Sequence, residues 1–208
     1  MEPSTSGRSP AEAPAEALTR SISLVAMPGA GKSTAGRHLA HALDVPFIDT
    51  DHEIERRIGC SIRSFFEREG EAAFRDLEQE VVCELVQREP HVIATGGGTV
   101  LREANRRALR EGSTVLYLRA TPEELFRRLR HDTHRPLLQV ADPLRKLRDL
   151  YRDRDPLYRE TAQFVIDTGR PSVASLVNMV LMQLELAGLV DPNQVPSSVL
   201  PRQPRTPT

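Results

Sequence analysis

The chain has 208 residues, enough for one ample core and too few for two full-sized enzyme domains with linkers, so a single domain is expected. Its 28 lysines and arginines against 29 acids leave a net charge of -1, which argues against a nucleic-acid or other polyanion partner. Two cysteines, Cys60 and Cys83, stand far apart with no C-x-x-C pairing, which suits a reduced, cytoplasmic chain rather than a disulfide scaffold.

Residues 1–20 carry Glu2, Glu12 and Glu16 among Pro, Ser and Ala, with no apolar run of the kind a secretion signal needs. They are expected to be unfolded, as is the Pro-rich stretch 191–208, because neither buries enough apolar surface to offset its ordering entropy. A domain over 21–190 remains. "SISLVA" opens it as a strand and runs into "MPGAGKST", after which Ala35, Leu39, Ala42 and Leu43 give a helix over 32–43 its apolar face. A strand feeding a glycine-rich turn that feeds a helix is the setting in which such a loop cradles phosphate. Gly29, Ala30 and Gly31 curl so that successive N–H groups point inward at a nucleotide, and the helix N-terminus adds partial positive charge. Lys32 is expected to reach the β and γ phosphates of ATP, Ser33 to ligate magnesium, and Thr34 to complete the nucleotide contacts. Ala26 stands where the pattern G-x-x-x-x-G-K-[ST] begins with glycine; its methyl matters only if the position needs positive φ or the close approach of another atom.

"PFIDT" reads as the second strand. Asp49 and Asp51, two apart on an extended backbone, share a face and look into the crevice at the carboxyl edge of the sheet, one near magnesium and one near an acceptor hydroxyl. The plainer alternative makes Asp51 the N-cap of the helix "HEIERRI". Helical segments then run to about residue 88, with Arg75 three residues before Glu78, a spacing that lets the carboxylate hold the guanidinium. "HVIAT" is the third strand and leads into Gly96, Gly97 and Gly98. Three adjacent glycines cost entropy, which points to a backbone that touches a ligand.

A short helix near 102–110 and the strand "STVLYLR" follow, then "TPEE", a capping box with Thr121 as N-cap, Pro122 first in the helix and Glu124 third. The segment "RHDTHRPLLQVADP", about 130–143, has little periodicity and reads as a mobile lid carrying Arg135. Another helix, expected to end before "DPLYRE", the strand "QFVID" and a helical stripe of Val173, Leu176, Val177, Val180, Leu181 and Leu184 close the domain. Asn178, Gln183 and Glu185 make that last stretch too polar to span a membrane, so no membrane partner is expected. His38 with His41, and His131 with His134, lack the further ligands of a zinc site and read as solvent-facing. The β/α alternation predicts an α/β fold, a parallel sheet with helices on both faces. With no long apolar heptad run, a monomer is expected.

Through "GAGKST", "FIDTDHEIE", "FFEREGEAAFRDLE", "GGGTV", "RPLL" and "RDPLY", in that order, residues 22–188 resemble the shikimate kinase family. The resemblance implies a three-layer P-loop kinase of the nucleoside-monophosphate-kinase type, with a five-stranded parallel sheet ordered 2-3-1-4-5. It implies transfer of the γ-phosphate of magnesium-ATP to the 3-hydroxyl of shikimate, within chorismate and aromatic amino-acid biosynthesis. By motif, Asp51 contacts the reacting hydroxyl, Arg75 and Arg154 clamp the substrate carboxylate, and Gly96, Gly97 and Gly98 line the same pocket. Asp49 assists magnesium, Arg135 arrives with the lid to contact the phosphates, and Arg128 and Arg170 border the adenine. Ala26 departs from the family's usual glycine. Three other readings stay open at this point: a related P-loop kinase acting on gluconate or a nucleoside monophosphate, a catalytically inactive nucleotide-binding module damaged at Ala26, and a tail, "PRQPRTP", that docks a partner.

Overall fold

The computed structural model describes residues 18–130, 140–169 and 172–190. Arg135, Arg170, most of the expected lid and nearly all of both expected tails lie outside the described residues. Leu18, assigned to the N-terminal extension, is buried in the core, so apolar packing begins ahead of residue 21.

Strand β1 (Ser21–Val25) is buried at every position, as a strand with neighbours on both edges and helices packed over the sheet must be. It is the middle of a five-stranded sheet in the order β2-β3-β1-β4-β5, formed with β2 (Phe47–Asp49), β3 (Val92–Ala94), β4 (Ser113–Arg119) and β5 (Phe164–Asp167). All the pairings are parallel, and Leu24 faces Ala94 on one side and Leu116 on the other. This is the strand order that the family resemblance implies. Helix α1 (Lys32–Ala42) packs on α7 (Val173–Leu186), the expected amphipathic stripe, and Leu39, Val180 and Leu184 are all buried in the main core. Each such aliphatic side chain contributes about 1.5–3 kcal/mol by leaving water.

A second, smaller core sits beneath α2 (Thr50–Ile58) and α3 (Ile62–Leu85), where Ile54, Phe74, Val81 and Leu85 close over Ile93 of β3. Within α3, Gly70 breaks the helical path with φ 82°, a conformation that glycine adopts without a Cβ clash. Asp51 and Arg75 belong to these two helices, so the small core fixes them relative to the carboxyl end of β3.

After a 3-10 turn (Thr99–Leu101), α4 (Glu103–Gly112) packs on β4. The capping box at α5 (Pro122–Leu129) forms as expected: the Thr121 hydroxyl accepts from the Glu124 N–H and the Glu124 carboxylate accepts from the Thr121 N–H. Helix α6 (Pro143–Thr161) differs from expectation, because it continues through Pro156 instead of ending before Asp155. Proline removes one helix hydrogen bond. Packing outweighs that loss: Tyr158, two residues on, is fully buried and stacks on Tyr117 with ring centroids 5.0 Å apart.

Candidate active site

The carboxyl ends of β1, β2 and β3 converge, and in a parallel sheet such an edge is where ligands bind. The phosphate loop leaves β1 there. Gly29 and Gly31 take φ of 83° and 90°, the left-handed region in which glycine is favoured. No side chain caps α1 and its first turn holds no acid, so the positive end of the helix dipole faces the cleft uncompensated by a carboxylate, an anion site by construction. The Lys32 Nζ donates to the carbonyls of Ala26 at 3.0 Å and Met27 at 3.3 Å. Ala26 is fully buried, and Asp44 is the only non-glycine residue with positive φ among the described residues. The position therefore does not require glycine for its backbone conformation, and its carbonyl does its work with a methyl attached.

A cleft of about 410 Å³ opens from this loop, with Lys32, Ser33, Asp49, Asp51 and Gly97 among its walls. Ser33 donates to Asp49 Oδ2 at 2.6 Å, which brings together the two residues expected to face a metal. Asp49, not Asp51, is the N-cap of α2: its Oδ1 accepts from the Asp51 N–H at 3.1 Å. This corrects the expectation that both carboxylates ride one extended strand. β2 stops at Asp49 and the helix begins at Thr50, which leaves Asp51 in the first helical turn, still on the cleft wall.

Asp51 is exposed on the cleft wall, with its carboxyl close against the Gly96 backbone on the inner side. Desolvation, then the neighbouring Asp49 carboxylate, push its pKa up to about 6, and Glu78 and Glu55 add to the rise while Lys32 opposes it. Such a carboxylate is ionised at neutral pH and holds a proton more readily than an ordinary aspartate, the balance a base in proton transfer needs.

Residues 96–98 explain how the remaining groups meet. A Cβ on Gly96 would stand 2.7 Å from Asp51 Oδ1, one on Gly97 2.8 Å from the Pro28 ring, and one on Gly98 2.6 Å from both terminal nitrogens of Arg75. Each glycine thus makes room for a neighbouring protein group; the sequence pointed only to room for a ligand. Thr50 accepts from the Gly96 N–H at 2.8 Å, and Arg154 donates to the Gly97 carbonyl at 3.0 Å. Asp51, Arg75 and Arg154, scattered along the sequence, therefore touch one tripeptide.

Arg75 is held by two acids. Its Nη1 donates to Glu78 Oε2 at 2.7 Å, while Nε and Nη2 donate to Glu71 Oε1 at 3.3 and 3.2 Å. Burial alone would lower the Arg75 pKa, and the two carboxylates outweigh it, so the guanidinium stays charged. Glu78 is only 1% exposed and also accepts from the Thr99 hydroxyl at 2.8 Å, so its burial is hydrogen-bonded on both oxygens. Thr50, Thr99 and Tyr158, whose hydroxyl also meets Gly97, escaped the sequence reading, since a single threonine or tyrosine carries no motif of its own.

A second cavity of about 260 Å³ lies beyond the phosphate loop, with Ala30, Thr34, Arg128 and Thr168 in its walls. Arg128 is fixed there by hydrogen bonds to the Thr168 and Gly169 carbonyls. Among the described residues no helix is long and apolar enough to cross a membrane.

A family model described as shikimate kinase matches residues 28–185. The shikimate kinase of Paracidovorax citrulli is 62% identical over 176 residues, which cover 83% of this chain and 96% of that protein. That of Ralstonia nicotianae is 55% identical over 184 residues, 88% of this chain and 97% of the relative. A solved structure of shikimate kinase from Acinetobacter baumannii in complex with shikimate superposes with a TM-score of 0.78 at 45% identity, covering 85% of this chain and 97% of that one. The chain belongs to the shikimate kinase family.

Proposed function

We propose that the cleft binds magnesium-ATP through the phosphate loop and shikimate beside residues 96–98, and passes the γ-phosphate to the 3-hydroxyl, giving shikimate 3-phosphate and ADP. The observation that carries this reading is the shared tripeptide: one backbone segment abuts a carboxylate of raised pKa and two guanidinium groups, next to a helix N-terminus made for phosphate.

Phosphoryl transfer passes through a loose transition state, so the acceptor needs alignment and charge neutralisation more than a strong base. Asp51 orients the hydroxyl and takes its proton late. Gly29, Ala30, Gly31, Ser33 and Thr34 supply the nucleotide's phosphate cradle, and Lys32 offsets charge growing on the bridging oxygen. Arg128 and Arg170 border the adenine, and Arg135 joins the phosphates as the lid closes. Arg75 and Arg154 grip the ring carboxylate, since a guanidinium fork matches a carboxylate bidentately. Glu71, whose side chain is 64% exposed, holds the Nε edge of Arg75 in a solvent-screened pair that a substrate carboxylate can replace at little cost.

The hydroxyl of Ser33 and the carboxylate of Asp49, 2.6 Å apart, are the hard oxygen donors that magnesium takes when most of its shell is water and phosphate. Held there, the ion would neutralise charge on the β and γ phosphates. The unpaired thiols of Cys60 and Cys83 suit a reducing, cytoplasmic compartment, and we infer a working monomer. The direct test is ADP release at fixed ATP and magnesium, with and without shikimate. Release that depends on shikimate supports the reading; ATP binding with no shikimate-dependent release refutes it.

A further inference from the structure

Tyr158 is a fully buried tyrosine whose hydroxyl reaches the glycine loop, where it donates to the Gly97 carbonyl at 2.6 Å. That same oxygen accepts from Arg154 Nη1 at 3.0 Å, so both of its lone pairs are engaged by residues four apart on α6. Between those two residues stands Pro156, which deletes a helix hydrogen bond at the turn that presents Arg154. Two hydrogen bonds to one carbonyl thus bridge the weakest turn of the helix.

We propose that Tyr158 is a positioning residue for acceptor binding, acting through the Gly97 carbonyl that its hydroxyl shares with Arg154. Holding that carbonyl toward α6 has a geometric consequence, because in a trans peptide the following N–H points the opposite way. The Gly98 N–H is therefore aimed away from α6, and it donates to no backbone or side chain among the described residues. The Gly97 carbonyl, held in place by the hydroxyl, also fixes one corner of the Arg154 fork, which has no ion pair to a carboxylate among the described residues, and so sets the plane in which its other nitrogens meet an incoming anion. Burial raises the Tyr158 pKa, which keeps the group a donor at any working pH. Tyr117 stacks against Tyr158 and donates to Asp155 Oδ1 at 2.8 Å, so it supports the same helix without touching the loop.

This inference rests on the assignment of Arg154 to the shikimate carboxylate, and the experiment separates the two. Tyr158→Phe keeps the ring and its stacking while removing only the hydroxyl; Tyr117→Phe removes a buried hydroxyl of the same aromatic pair that does not reach Gly97. Steady-state kinetics and melting temperatures are measured for both, and for Arg154→Ala. Tyr158→Phe is expected to raise the shikimate KM about fivefold or more, as loss of one buried hydrogen bond does, with the ATP KM unchanged and melting within about 4 °C of wild type. Tyr117→Phe is expected to leave the shikimate KM within about twofold. Combined with Arg154→Ala, the Tyr158→Phe effect should shrink, because both changes act on one carbonyl. If Arg154→Ala raises the shikimate KM and Tyr158→Phe does not, the positioning role is wrong and the site assignment stands. If neither variant moves it, both are wrong. Equal rises in the shikimate and ATP KM for both tyrosine variants would reduce Tyr158 to packing and overturn the proposal.

Discussion

Replacing Asp51 by Asn keeps the shape of the side chain and removes its charge and its capacity to accept a proton. The carboxyl titrates at about 6, so at pH 7 roughly nine in ten molecules carry the ionised form. A positioned base of this kind contributes about 10²–10⁴ in rate, and Asp51→Asn should lose that much kcat. Wild-type kcat/KM for shikimate should fall about tenfold per pH unit below 6, and that acid limb should vanish from the residual activity of the variant. Stability should move the other way. Because the folded chain holds the Asp51 proton more tightly than an unfolded chain with the ordinary value of 3.8, the ionised group opposes folding. That opposition is full above pH 6 and fades as pH falls from 6 toward 3.8, where the folded protein takes up the proton first. Asp51→Asn should therefore melt at or above wild type at pH 7.5, with the gap closing near pH 4; cleft water screens the effect, so it is a direction rather than a sum. A coupled ADP assay and paired thermal melts read both. Turnover within about threefold of wild type, or a variant that melts lower at pH 7.5, would refute the role and its electrostatic origin.

Arg75→Ala and Arg154→Ala should each raise the shikimate KM about 10–100-fold while sparing the ATP KM, since each removes a charge-assisted bond from one substrate only; unchanged shikimate KM in both would remove the clamp. Glu71→Gln weakens the internal competitor for Arg75 and should lower the shikimate KM by about twofold, whereas a rise would show that Glu71 orients the guanidinium instead. Ala26→Gly should leave the ATP KM within about twofold and cost about 0.5–1 kcal/mol of stability in a denaturant titration, because the native backbone there has no use for glycine's freedom; a several-fold tighter ATP KM would contradict that.

Local signals carried much of the fold. Gly29 and Gly31 announce left-handed turns, Thr121 and Glu124 a capping box, and the spacing from Leu176 to Leu184 a buried helix face, because each is settled within a few residues. What escaped was settled by neighbours distant in sequence. Two aspartates in "FIDTD" compete for the cap, and β2 pairing with β3 out to Asp49 opposite Ala94 decides that the strand stops there and Asp49 caps. Pro156 reads as a helix end until Tyr158 is seen stacked on Tyr117. Arg75 is legible through its motif and through Glu78 three residues on; the burial of Glu78 beneath it and the bare Cα of Gly98 beside it depend on neighbours distant in sequence. Arg128 likewise gains its place from carbonyls at Thr168 and Gly169.

The most direct measurement is a crystal structure of this protein with shikimate and ADP bound. The ring carboxylate should lie within about 3 Å of both the Arg75 and Arg154 guanidinium groups, with the 3-hydroxyl within hydrogen-bond reach of Asp51 and pointed at the phosphate loop. A carboxylate seated on other residues, or a 3-hydroxyl turned away from Asp51, would contradict it.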